Sequence, residues 1–219
     1  MQQRRFKFTI LFLSALVLQA SVTPAGDLNY GVKLGINPIS IVENGTRNIS
    51  TKLGFAGGLS LTYHLNRNLA IQPEILYSVR GGEHPLELLD QSYKIAADLR
   101  YVEFPVLARW DFRYGKDLAP YLLIGPTFNL LTKANVHMEG APANLQLDDF
   151  VNEREIGLVL NFGVEKKWNP GAITFDLRYE RGFTSLVNEE LLDLAKAFGV
   201  QDQLDIRTSL FSILVGYQF

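Results

Sequence analysis

The chain has 219 residues, of which 47% are hydrophobic and 20% charged, and its formal net charge is -2. That balance excludes a strongly basic nucleic-acid binder and an acidic or low-complexity tail. With no cysteine, the chain can form no disulfide, thiolate metal site, cysteine nucleophile or cysteine-linked lipid anchor.

The N-terminus reads as a secretory signal peptide over residues 1–25. Arg4, Arg5 and Lys7 form a positive start, an apolar run covers Phe8–Val22, and Thr23 and Ala25 fill the small-residue positions before cleavage. A membrane-anchoring helix is the other reading, but the run is shorter than the ~20 residues a span needs. Cleavage after Ala25 leaves residues 26–219 as one domain with a net charge of -5. That domain has no apolar run long enough for a transmembrane helix. The other way for a chain to cross a bilayer, a closed β-barrel, stays open.

Eight segments alternate with period two, the pattern of a strand with one apolar and one polar face. The first sets Leu28, Tyr30, Val32, Leu34 and Ile36 against Asn29, Gly31, Lys33 and Gly35. The second covers Leu53–Leu65. The third sets Ile71, Ile75, Tyr77 and Val79 against Gln72, Glu74, Ser78 and Arg80. The fourth, "YVEFPVLARW", sets Val102, Phe104, Val106 and Trp110 against Tyr101, Glu103, Leu107, Arg109 and Asp111. Pro105 costs it a ladder hydrogen bond, which a bulge there would accommodate. The fifth covers Tyr121–Leu130, with Leu123 breaking its polar face. The sixth starts at Ile156 and ends at Trp168. The seventh sets Ile173, Phe175, Leu177 and Tyr179 against Thr174, Asp176, Arg178 and Glu180. The eighth runs to Phe219.

The connections alternate in length. Short turns follow the second, fourth and sixth segments. The connections around 37–52, 81–97, 132–155 and 184–205 each hold roughly 15–25 residues, the pattern of an outer-membrane barrel. The fold expected is therefore all-β: an eight-stranded antiparallel up-and-down transmembrane β-barrel with short periplasmic turns and long outer loops.

A soluble barrel also alternates, with its apolar face inward. Here the apolar face carries Phe55, Tyr77, Phe104, Trp110, Phe162, Trp168 and Phe175, too bulky for a narrow lumen. The polar face carries Gly31, Gly54, Gly58, Gly125, Gly163 and Gly216, which suit one. Aromatic residues also gather toward both ends, as girdles at two membrane interfaces would. The apolar face therefore faces lipid.

The segments "YGVKLGIN", "IQPEILYSVRGG", "YVEFPVLARW", "YLLIGPTFNL" and "LVGYQF" occur in an order that resembles the "porin family", or PorT-like, outer-membrane β-barrel proteins of Gram-negative bacteria. The resemblance covers nearly the whole mature chain and implies an outer-membrane location. It also implies that Phe219 resembles the terminal signal read by the barrel-insertion machinery. The family has no common enzymatic activity.

The lumen-facing charges expected are Lys33, Arg80, Arg109, Lys167 and Arg178 against Glu74, Glu103, Asp111, Glu165, Asp176 and Glu180. Five positive and six negative charges nearly cancel, which predicts a paired network plugging the lumen. Glu74 and Arg109 are the expected partners across the third and fourth strands. The alternative is a narrow porin whose charges line an ion path. A loop-sited hydrolase has less support. His64 reads as a lumen hydrogen-bonder, and His84, His137, Asp148 and Asp149 lie in loops without a motif. No metal, cofactor or catalytic residue is assigned. In "NEELLDLAKAFG", Asn188 caps a helix over 188–198 that packs on the rim or meets a partner. Asn44 and Asn48 begin sequons in an exposed loop. The partners expected are outer-membrane lipid, the insertion machinery and a protein at the outer loops, with the barrel a monomer.

Overall fold

The computed structural model describes residues 28–42, 53–88, 91–112, 117–138, 144–146, 152–185 and 207–219. The proposed signal peptide, the 188–198 segment, Asn44, Asn48, Asp148 and Asp149 lie outside them. Nine strands follow in chain order: β1 (Leu28–Val42), β2 (Leu53–His64), β3 (Leu69–Leu88), β4 (Gln91–Asp111), β5 (Leu118–Met138), β6 (Asn144–Gln146), β7 (Arg154–Trp168), β8 (Gly171–Gly182) and β9 (Arg207–Gln218). All pairings are antiparallel. The β4–β5 and β1–β9 pairings close eight of the strands into a barrel, and β6 adds to the outer part of β5.

The register sets the tilt. A path of paired residues runs Leu28, Tyr63, Ile71, Ala108, Ile124, Leu160, Tyr179, Phe211 and returns to β1 level with Pro38, ten residues beyond its start. That stagger over eight strands tilts them by about 40°.

Alternation places the apolar side chains on the outside. Leu34, Leu59, Phe162, Phe175 and Val215 are exposed, and the intervening Lys33, Asn161, Asp176 and Leu214 are buried. At the end with short turns, Tyr30 stacks on Phe219 at 5.2 Å and Tyr217 meets Phe219 edge-on at 4.9 Å, with Trp110 and Trp168 exposed on the same rim. Toward the other end, Phe55 pairs with Tyr77 and Tyr179 with Phe211. These are the two girdles the sequence pattern predicts.

The short turns have local causes. The Asn66 side chain accepts hydrogen bonds from the amides of Asn68 (3.0 Å) and Leu69 (2.9 Å), an Asx-type turn. Asn68 then donates to the Asp111 carbonyl at 2.7 Å, tying the β2–β3 turn to the end of β4.

Three expectations are corrected. Residues 81–97 are not a long loop. β3 and β4 stay paired from Gly81↔Asp98 to Leu88↔Gln91, which leaves only residues 89–90 between them. His84 and His137 accordingly lie in strands, paired with Ile95 and Ala96. Nor does Pro105 carry a bulge. The β3–β4 register is the same on either side of it, and the irregularity lies at Arg100/Tyr101, where Thr132 of β5 is the extra residue.

Candidate functional site

Charged side chains from all around the barrel converge in its interior. An inward position on a narrow barrel cannot reach water sideways, so each charge must be met by a partner from another strand. The side chains fall into three layers along the axis.

The layer nearest the short turns centres on Arg109. Its guanidinium meets Asp111 at 2.8 Å and Glu165 at 2.6 Å, and lies 4.0 Å from the centre of the Tyr121 ring. His64 Nδ1 lies 3.8 Å from Asp111. Gly163 is paired with Tyr121, and a Cβ there would collide with the Tyr121 ring. Lacking one, Gly163 lets that ring lie flat and its hydroxyl donate to Asp176 at 2.6 Å.

Asp176 belongs to the middle layer. Lys33 Nζ bridges it to Glu74, at 2.9 Å from each, and Arg178 holds the other oxygen of Glu74 at 2.7 Å. Asn161 donates to Asp176 at 2.8 Å and Gln72 to Glu74 at 2.7 Å. Leu107, Tyr121, Leu123 and Val159 pack together beside this layer, which accounts for the apolar Leu123 on a polar face.

The outer layer surrounds Arg80. Its guanidinium meets Glu103 at 2.5 Å and Glu180 at 2.7 Å, with Glu155 at 3.7 Å, and lies 4.7 Å from the Tyr101 ring. Ser78 donates to Glu103, Thr208 to Glu155, and Asn129 to Glu180 at 2.7 Å. An arginine stacked on a tyrosine thus stands at each end of the network, a cation–π contact strengthened by burial.

Of the charges expected in the lumen, Lys33, Glu74, Arg80, Glu103, Arg109, Asp111, Asp176, Arg178 and Glu180 are buried inside, and Glu165 is half-buried at the mouth. Lys167 lies at the periplasmic mouth rather than buried in the lumen. It is exposed at the turn end of β7, where it still pairs with Ala172 of β8, on the rim of a recess it shares with Asn29, Glu165 and Gln218. Glu74 and Arg109 do not pair. The register places Arg109 opposite Ala70, four residues from Glu74, so only Gln72 links them, accepting from Arg109 at 3.4 Å. Glu155, Tyr101 and Tyr121 join the site beyond the charges that the sequence pattern names. Glu155 sits two residues before Gly157 on the same parity as Asn161 and Gly163, so extending the alternation by one step finds it.

The near-balance of charge is corrected with it. Among the described residues, four buried cations, Lys33, Arg80, Arg109 and Arg178, face seven acids, Glu74, Glu103, Asp111, Glu155, Glu165, Asp176 and Glu180. The surplus is greatest in the outer layer, three glutamates to one arginine. Among the described residues, no group of three or more metal-ligating side chains is placed to hold a metal ion.

A family model described as "Outer membrane protein beta-barrel domain" matches residues 2–188. The chain belongs to that outer-membrane β-barrel family. Its place is the bacterial outer membrane, with the short turns on the periplasmic side. No curated protein matches this family member. Among solved structures, it is similar to Ail, the attachment invasion locus protein of Yersinia pestis, crystallised with the heparin analogue sucrose octasulfate. That match has 17% identity and a TM-score of 0.47, over 88% of this chain and 99% of that one. OprG from Pseudomonas aeruginosa matches at 13% identity and a TM-score of 0.48, over 89% and 97%. Neisserial surface protein A matches at 17% and 0.44, over 87% and 97%.

Proposed function

We propose that this barrel is an anchor that displays a sheet outside the cell to a macromolecular partner, with its lumen closed by the ion network. The observation that carries this is strand length. β3, β4 and β5 run for 20, 21 and 21 residues, where crossing a bilayer takes about 9–11. The surplus is a continuous sheet of residues 81–88, 91–100, 133–138 and 144–146. It extends about 25 Å of strand beyond Arg80. A paired sheet holds its shape where a loop would not, so it presents a fixed surface to a protein partner. The role is non-catalytic: the buried acids and cations are committed to one another. The strand motifs favour the PorT-like branch of the family, with the barrel a monomer and Phe219 read by the insertion machinery.

The test is a photo-crosslinking residue at Leu86 in living cells, beside a variant in which Glu83–Ala96 is replaced by a two-residue turn. Crosslinked species should form in the wild type. The shortened variant should still show heat-modifiable gel migration, the mark of a folded barrel, while losing the partner. An unchanged set of partners in that variant would reject the display reading.

The acid surplus in the outer layer favours a second reading, a narrow cation-selective porin. Planar-bilayer recording separates the two. A sealed lumen gives no stable conductance above background. Steady cation-selective channels that change with Arg109→Ala would establish the porin instead.

A further inference from the structure

Among the described residues, the outward, lipid-facing side of the barrel carries charge only at its two ends. Between them, every described outward residue, from Val32 and Leu59 through Ile75, Phe104 and Leu160 to Val215, is uncharged. The ends themselves differ. At the periplasmic rim the outward side presents aromatic rings and Lys166. At the outer rim it presents Arg100, Lys133, Arg154, Arg181 and Arg207, with Asp98 and Glu153 as the described acids nearby.

These five residues come from β4, β5, β7, β8 and β9, and the stagger of the barrel brings four of them to one height. With the register and a tilt of about 40°, Arg100, Lys133, Arg154 and Arg207 lie within about 3 Å of one level, and Arg181 about 6–9 Å lower. That level is about 25–30 Å above the periplasmic girdle, which matches the height of the apolar band of an outer-membrane barrel. It is also about 10 Å beyond the upper girdle of Phe55, Tyr77, Tyr179 and Phe211, at the depth of headgroups.

Two details favour an anion at this level. Arg100 and Lys133 are directly opposite in the β4–β5 register and share a face. Like charges so placed repel, and an anion between them reverses the sign. Four of the five are arginines, whose planar fork fits phosphate oxygens in pairs. The Arg181 fork already donates sideways to Ser209 at 2.6 Å, which holds it along the wall.

We infer that Arg100, Lys133, Arg154, Arg181 and Arg207 form a belt that binds the phosphate groups of the glycolipid in the outer leaflet. The leaflet at this rim of a bacterial outer membrane is built of phosphorylated glycolipid, so belt and ligand meet at the same depth. The belt does not depend on the display function, and it fixes the height and rotation of the barrel in its leaflet.

The test uses protein refolded in zwitterionic detergent, so that folding is complete before any glycolipid is added. Bis-phosphorylated lipid A is titrated in. Its retention is read by native mass spectrometry and the barrel's melting by heat-modifiable migration. The wild type should retain lipid A and melt higher, and lipid A stripped of its phosphates should do neither. The combined Arg100→Gln, Lys133→Gln and Arg154→Gln variant should bind about a hundredfold more weakly, at about fivefold per basic side chain. Lys166→Gln, at the opposite rim, should bind as the wild type does. If the triple variant does not refold, Arg154→Gln alone, at an exposed site, should show the fivefold loss. Equal binding of the dephosphorylated glycolipid, or undiminished binding by the variants, would overturn the belt. Equal stabilisation by phosphatidylglycerol would overturn its assignment to glycolipid.

Discussion

Replacing Glu74 by leucine removes the acid that neutralises two buried cations. Glu74 sits 2.9 Å from Lys33 and 2.7 Å from Arg178, and all three side chains are almost wholly buried. After Glu74→Leu, Lys33 and Arg178 are left with Asp176 as their nearest acid. Removing one member of a buried pair costs about 3–5 kcal/mol, most of it the stranded charge. Arg178→Leu should cost less, because Lys33 still holds Glu74. The double variant removes a charge of each sign and restores the balance, so its loss should fall short of the sum by about 1–3 kcal/mol. A second cycle supplies the contrast. Glu74 and Arg109 touch only through Gln72, so Glu74→Leu with Arg109→Leu should be additive within about 0.5 kcal/mol. Unfolding in urea from lipid vesicles, followed by the fluorescence of Trp110 and Trp168, gives all the free energies. Additivity in the Glu74–Arg178 cycle, or strong coupling in the Glu74–Arg109 cycle, would refute the layered network.

The lipid face should show a depth profile: Leu160→Arg, near the midplane, should cost about 2–4 kcal/mol, and Ile173→Arg, near the periplasmic rim, at most about 1 kcal/mol. Equal costs in vesicle refolding would contradict the assigned heights. Gly182→Ala drives a methyl into the Glu155 carboxylate and the Thr208 hydroxyl, and should cost about 1–3 kcal/mol by urea titration. Adding Glu155→Ala should recover part of that loss, and no recovery would place the clash elsewhere. Deleting Phe219 should leave refolding in detergent intact while lowering the assembled fraction in cells, as counted by heat-modifiable bands. Unchanged assembly would remove Phe219 as an insertion signal.

Much of the wall was legible because alternation is a one-dimensional signal. Val102, Phe104 and Val106 against Tyr101, Glu103 and Leu107 need no knowledge of neighbours. The projecting sheet was not legible. "GGEHPLELLDQSYKIAA" carries two glycines and a proline and lacks the clean alternation by which a strand is read. Partners in the lumen were the other loss. Arg109 misses Glu74 because of the β3–β4 register alone, whereas the reach of Arg178 across the barrel to Glu74 depends on the ten-residue stagger, which sums the registers of every strand pair. Glu155 lies one residue before Ile156, where the apolar residues that mark the sixth segment begin, so the apolar pattern alone stops short of it. The irregularity opposite Thr132 left no mark in composition, whereas Pro105, which did, is absorbed without one.

The middle layer joins strands that are not neighbours. Lys33 of β1 reaches Glu74 on β3 and Asp176 on β8, and Arg178 of β8 returns to Glu74. No hairpin contains a complete set of partners. A half-built wall therefore carries uncompensated charge until β1 and β9 meet, and a one-residue slip on closing would turn Lys33 out toward lipid. The ions that fill the barrel thus also act as its lock: they accept one alignment of the seam and penalise its neighbours, so the last strand pairing proofreads all the earlier ones.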